Sequence, residues 1–109
     1  LNVSEAAGSA GATGVWIYGY IVGGDLSSSS VSFTPPFKSE TNLAIASRTS
    51  VSEKSSCLSV QLPQGAIRNA LNLVSNPSNL KRKLWVKGDI VAAYFGIPGI
   101  KNIEEYYIE

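Results

Sequence analysis

One segment constrains the fold more than any other. Residues Val15 to Val22 read VWIYGYIV. β-Branched and aromatic residues alternate there with a period of two, the pattern of a strand with two unlike faces. Val15, Ile17 and Ile21 share one face with Gly19, while Trp16, Tyr18 and Tyr20 share the other. The segment has an echo further on, where WIYGYIV from Trp16 is answered by WVKGDIV from Trp85. Each copy sets a Trp three residues ahead of a mid-strand Gly. A glycine at that place lets a strand bend or bulge. Two long strands coiled at a central glycine are what a small closed barrel needs to turn its corners.

The rest of the chain supplies shorter strands and one helix. Leu43 to Ser47 reads as a second strand with Leu43 and Ile45 inward, and Cys57 to Leu62 as a third with Leu58, Val60 and Leu62 on one face. The period then changes. Ile67, Ala70, Leu71 and Val74 recur at i, i+3, i+4 and i+7, which predicts an amphipathic helix. Asn76-Pro77 stops it, because proline cannot continue the hydrogen-bond ladder. Leu84 to Ala93 is the fourth strand, Tyr94 to Gly99 a turn, and Ile100 to Ile108 the fifth strand. Asp25 to Thr41 is a polar connection of a length usually found in functional or disordered loops. Residues 1–14, rich in Ala, Gly and Ser, read as a flexible arm or linker ahead of a domain spanning 15–109.

Composition excludes several functions. With 109 residues the chain is one domain, and no apolar run approaches the ~18 residues of a membrane helix. Nine Lys and Arg against eight Asp and Glu give a net charge of +1, so the totals do not describe a strongly basic nucleic-acid or membrane binder. The absence of His removes histidine acid–base and metal chemistry, and a single Cys forms neither an intrachain disulfide nor a cysteine zinc site. No metal or cofactor is expected. Charged residues make up 16% of the chain, below the usual ~25%, and Ser, Thr, Asn and Gly carry much of the polar surface. That balance is common in secreted β-rich domains. A start at Leu1 without Met reads as a mature or truncated fragment, leaving room for a removed signal or lipid anchor upstream.

Three strands, a helix and two further strands are the element order of the OB-fold, a five-stranded Greek-key barrel with its helix between strands three and four. The fold class expected is therefore all-β with one helix, the helix closing one barrel end through Ile67, Ala70, Leu71 and Val74. Within this order, VWIYGYIVG, NLAIAS, LPQGAIRNALNL, NPSNL and YFGIPGIKN together resemble a family of small OB-fold domains from cell-envelope proteins of Bacteroides-type bacteria. The resemblance runs from about Val15 to the C-terminus and rests on structural signatures. It implies an exported or lipid-anchored protein, similar in shape to nucleic-acid-binding OB-folds and without an established ligand.

Three surfaces are candidates for binding. An OB-fold binds single strands across strands two and three, flanked by the loops between strands one and two and between four and five. The outward residues Ala44, Ala46, Cys57, Ser59 and Gln61 offer neither aromatic nor cation. The flanking loops are richer, with Phe33, Phe37 and Lys38 in one and Tyr94 and Phe95 in the other. These rings either form a stacking rim or fold back over the barrel. A basic stretch adds Arg68, Lys81, Arg82, Lys83 and Lys87, with no acid between Gln64 and Gly88, and Arg48 stands near the second strand. It is a phosphate-contacting patch or a solvated strand edge. The third surface is the aromatic face Trp16, Tyr18 and Tyr20, with Trp85 on the echoing strand; it either contacts sugars, bases or protein, or lies under a covering segment.

Enzymatic readings fare worse. Glu104 and Glu105 are strand neighbours and point to opposite faces. Cys57 and the many serines have no His to activate them. The expectation is a non-enzymatic OB-fold binding module of an exported, extracytoplasmic protein. Its first expected partner is single-stranded nucleic acid, held by Phe33, Phe37, Tyr94, Phe95, Lys38, Arg48, Arg82, Lys83 and Lys87. The alternatives are an oligosaccharide- or protein-contacting module using Trp16, Tyr18 and Tyr20, or a structural spacer.

Overall fold

The two-faced strand is the axis of the molecule. In the computed structural model, which describes residues 1–109, β1 (Val15–Gly24) is hydrogen-bonded on both edges. It runs antiparallel to β2 (Asn42–Ala46) on one side and to β4 (Lys83–Tyr94) on the other. β2 continues antiparallel into β3 (Cys57–Gln61), and β4 into β5 (Ile97–Ile108). The ring closes where β3 lies parallel to β5, with Ser59 opposite Gly99 and Val60 opposite Ile100. The order round the closed barrel is β1-β2-β3-β5-β4. That closing contact is short, two residue pairs, so beyond Ile100 β5 has a strand partner only in β4.

The barrel interior is aliphatic. Ile17 and Ile21 meet Leu43, Ile45, Leu58, Val60, Leu84, Val86, Ile90 and Ile100 in one buried cluster. Each such side chain stabilises the fold by roughly 1.5–3 kcal/mol relative to exposure. The fourth strand alternates strictly, with Leu84, Val86, Gly88 and Ile90 buried and Lys83, Trp85, Lys87 and Asp89 partly exposed.

Several expected boundaries move. The turn between β4 and β5 is only Phe95-Gly96, both at positive φ, because Tyr94 already pairs with Ile97. The helix α2 covers Ala66–Leu71 and stops short of Val74, which is 39% exposed. Asn72 ends it: its side-chain amide donates to the Arg68 carbonyl at 2.8 Å and its carbonyl accepts from the Ser75 N–H at 2.8 Å. Such side-chain bonds to nearby backbone compete with the helical ladder. Leu71 and Leu73 enter the main core, with Ile67 packed at its margin.

The first fourteen residues do not form a free arm. Val3–Ala7 is a short helix, α1, opened by a capping box in which Asn2 and Glu5 exchange side-chain to backbone bonds of 2.8 Å. Val3 and Ala6 are buried in the main core. Further along, Gly11 and Ala12 bond the backbone of Ile90 on both sides, at 2.9 and 2.8 Å. The Asp89 carboxylate accepts from the Asn102 amide at 2.8 Å and from the Gly14 N–H at 3.0 Å. Those two bonds favour the ionised form and hold the carboxyl below its ordinary range. The Ala- and Gly-rich composition hid this packing, because small residues dock closely without showing a periodic pattern.

The long connection is also ordered. The Asp25 carboxylate accepts the backbone N–H groups of Lys38 and Ser39, the closest at 2.7 Å, and Gly24 bridges Ser32 in both directions. Leu26 is tied through its N–H to the buried Asn42 side chain at 2.9 Å. So held, the loop lies across the outside of β2 and β3. Val22, Leu26, Ala44, Ala46, Val51 and Cys57 form a second buried cluster, with Tyr20, Val31, Phe33, Phe95 and Ile97 packed against it, so Tyr20 of the aromatic face is partly covered.

The two mid-strand glycines do different work. At Gly88 the pairing shifts: Asp89 opposes Lys101 and Lys87 opposes Glu105, so two residues of β4 span four of β5. The shift in β1 lies beyond Gly19, between Ile21 and Gly23. Gly19 instead makes room for α1, since a Cβ there would lie 2.8 Å from the Val3 methyl and 3.0 Å from the Ala46 carbonyl. Gly19→Ala is therefore expected to lift α1 and lower stability by about 1–3 kcal/mol, read from urea unfolding. An unchanged midpoint would contradict the packing of α1 described here.

Candidate functional site

The surface expected from the loops is largely closed. Phe37 is 7% exposed and belongs to the main core, so its ring cannot stack on a ligand. Phe33 and Phe95 are half-buried and pack on the second cluster. Of the two outcomes open to these rings, they have folded back over the barrel. Tyr94 leans on Phe95 with ring centroids 4.6 Å apart, and the Lys101 ammonium lies 5.0 Å from the Tyr94 ring. Burial pushes the Tyr94 hydroxyl up from its ordinary pKa. Lys38 is exposed, with its backbone tied to Asp25. Ala44, Ala46, Cys57 and Ser59 are all buried. The loop residues and this face do not come together as an open groove.

The outer face of β1, β4 and β5 is different. Cross-strand pairing sets nine outward residues in three rows. Trp16 stands beside Lys87, which stands beside Glu105; Tyr18 beside Trp85, beside Tyr107; Tyr20 beside Lys83, beside Glu109. Nothing in the chain covers the middle of it. Trp16 is 39% and Tyr107 61% exposed. Together with Trp85 and Glu109 they line an open cleft of about 580 Å³.

Specific contacts hold these rings in place. Tyr18 and Trp85 pack with centroids 4.5 Å apart and planes tilted by 33°. The Trp85 indole N–H donates to the Glu109 carboxylate at 2.7 Å. The Lys83 ammonium lies 4.8 Å from the Tyr18 ring and 5.0 Å from the Trp85 ring, and 3.8 Å from Glu109. Lys87 pairs with Glu105 at 3.5 Å. Exposed pairs of this kind contribute about 0–1 kcal/mol to stability. What they do is balance the charge of the face.

The basic stretch divides. Arg68 turns inward and donates twice to the Leu62 carbonyl, at 3.0 and 2.9 Å. Lys81 and Arg82 are exposed beside the aromatic face. Lys81 reaches the Thr49 carbonyl at 2.7 Å, next to exposed Arg48, and Arg82 donates to the Asn79 side chain and the Glu109 carbonyl. Arg48, Lys81 and Arg82 thus form a basic rim at the Lys83 end of the face. Tyr107 and Glu109 were missed by the sequence reading. The signal available for them was the alternation of β5, but the pairing shift at Gly88 decides which of its residues meets Trp85.

Across residues 1–109 the chain matches the family model for DUF6359, a domain of unknown function, and it belongs to that family. Over 88 residues, 81% of its length, it is 34% identical to a protein described as endonuclease YhcR of Bacillus subtilis strain 168. That stretch is 7% of the relative's length. No solved structure matches the chain.

Cys57 is the remaining group with intrinsic reactivity. It is 3% exposed, its thiol points to the Glu53 carbonyl at 3.4 Å, and burial pushes its pKa up to about 11. At pH 8 only about a thousandth of it is thiolate, against roughly a quarter or less for a free cysteine. Cys57 is expected to resist a thiol reagent such as dithionitrobenzoate in the folded protein and to react promptly in urea. Rapid labelling under native conditions would overturn this placement.

Proposed function

We propose that this domain is a non-enzymatic binding module built on an OB-type Greek-key barrel, and that it binds single-stranded nucleic acid through the outer face of β1, β4 and β5. The strand order β1-β2-β3-β5-β4, with β3 parallel to β5 and α2 between β3 and β4 along the chain, supports the OB assignment and with it the resemblance to the envelope-protein OB domains. The observation that carries the function is the open cleft of Trp16, Trp85 and Tyr107 beside the rim of Arg48, Lys81 and Arg82. Rings supply stacking surfaces for bases, and the cations supply charge for phosphates. The endonuclease description of the Bacillus relative fits a nucleic-acid partner. The binding face lies away from β2 and β3, because the 25–41 loop roofs those strands.

The chain's one thiol is buried and neutral, which fits a non-catalytic role. The low charged fraction and the Ser-rich surface support an exported, extracytoplasmic setting, with or without a lipid anchor. A second reading, an oligosaccharide ligand, is favoured by one observation: the two ion pairs balance the charge on either side of the central aromatic row.

Titration of the Trp fluorescence with oligo-dT at several salt concentrations separates the two. Neutralising about three phosphates gives a log–log salt slope of roughly −2. Trp16→Ala is expected to weaken binding by about 1–3 kcal/mol while stability falls by about 1–2 kcal/mol, since the ring is partly exposed and the domain stays folded. No response to oligo-dT at low salt, or a flat salt dependence, would end the nucleic-acid reading. Salt-insensitive binding of an oligosaccharide that fails in Trp16→Ala would install the second.

A further inference from the structure

A second cleft, of about 360 Å³, lies between α1 and β1, on the Tyr20 side of the aromatic rows. Its lining includes Ser4, Tyr18, Tyr20, Ser47 and Lys83, with Gly19 among the wall residues, and no carboxylate. The four hydroxyls make no hydrogen bond within the chain, so each is free to donate. Lys83 borders this cleft, while Glu109, its ion-pair partner 3.8 Å away, lines the neighbouring one. The Lys83 contact with Glu109 is too long for a good hydrogen bond. A donor-rich cavity with one cation and no acid selects an anion.

We propose that this cleft is a phosphate subsite: it receives a phosphodiester of the same strand whose bases stack on Trp16, Trp85 and Tyr107. The inference rests on the nucleic-acid reading above and adds where the backbone is gripped. Lys83 is the shared element. Its ammonium lies over the Tyr18 and Trp85 rings, which wall off the two clefts from each other, so a phosphate in one cleft and a base in the other both lie within its reach. An incoming phosphate competes with Glu109 for that ammonium. The cleft gives the strand a fixed point, and the aromatic rows give it a surface.

The test compares oligo-dT with the same oligomer carrying an uncharged methylphosphonate backbone. Both present identical bases, and only the first presents an anion. The wild-type domain is expected to prefer the phosphodiester by about tenfold or more, the size of a charge-assisted hydrogen-bond set. Ser47→Asp, which sets a carboxylate in the cleft at an exposed position, is expected to cut that preference about tenfold, leaving the part owed to the Arg48, Lys81 and Arg82 rim, with a much smaller effect on methylphosphonate binding. Glu109→Gln keeps an acceptor for the Trp85 N–H but frees Lys83, and is expected to raise the preference. Equal binding of the two backbones by the wild type, or a preference left undiminished by Ser47→Asp, would overturn the subsite and leave the stacking face standing. Failure of both oligomers to bind would remove the stacking face and the subsite together.

Discussion

Everything in this molecule depends on how β1 is shared between two partners. Its first half, Val15 to Tyr20, is registered against β4 and its second, Tyr20 to Gly24, against β2, so the whole strand is fixed in register and therefore in facing. A shift of one residue would turn Trp16, Tyr18 and Tyr20 into the barrel and Ile17 and Ile21 out of it. The interior is already filled by aliphatics from all five strands and has no room for indole or phenol rings. The aliphatic core and the aromatic face are thus two sides of a single constraint, and neither can change without the other.

The sequence showed as much of this as period-two patterning can show. The five strands and the inward set Ile17, Ile21, Leu43, Ile45, Leu58 and Val60 were readable from alternation, and a helical segment from the change of period at Ile67. Three features were not. The docking of α1 depends on an absent side chain, since Gly19 leaves the space that Val3 enters, and alternation cannot register a void. The 25–41 loop is organised by the Asp25 carboxylate and by isolated apolar residues, Leu26, Val31 and Phe33, spaced too irregularly to read as an element. Tyr107 was invisible as a site residue because its position opposite Trp85 depends on the extra β5 residues at Gly88, which no local pattern encodes.

The aromatic residues sort by chemistry. Phe33, Phe37 and Phe95 have no polar atom, and all three pack against one of the two buried clusters. Trp16, Tyr18, Trp85 and Tyr107 carry an N–H or O–H and stand where one end can stay wet. Among the loop rings placed first for binding, Phe37 is buried and Phe33 and Phe95 pack on the second cluster, while Trp16 and Tyr107 of the strand rings keep more of their surface in solvent. Arg68, Lys81 and Arg82 each donate to a backbone carbonyl, Arg68 from a half-buried position and Lys81 and Arg82 from the exposed surface they share with Arg48.

The surroundings of the two tryptophans have a further consequence. Trp85 has an ammonium near its ring and a carboxylate on its N–H, while Trp16, on the same face, is 39% exposed and makes neither contact. Opposite charges at fixed places around an indole change the energy of its excited state; bulk solvent does so differently. The two chromophores are therefore spectrally unequal by construction. Single-tryptophan forms of the protein would give emission bands that report separately on the rim and the centre of the face, so the molecule carries its own optical label for where a ligand sits.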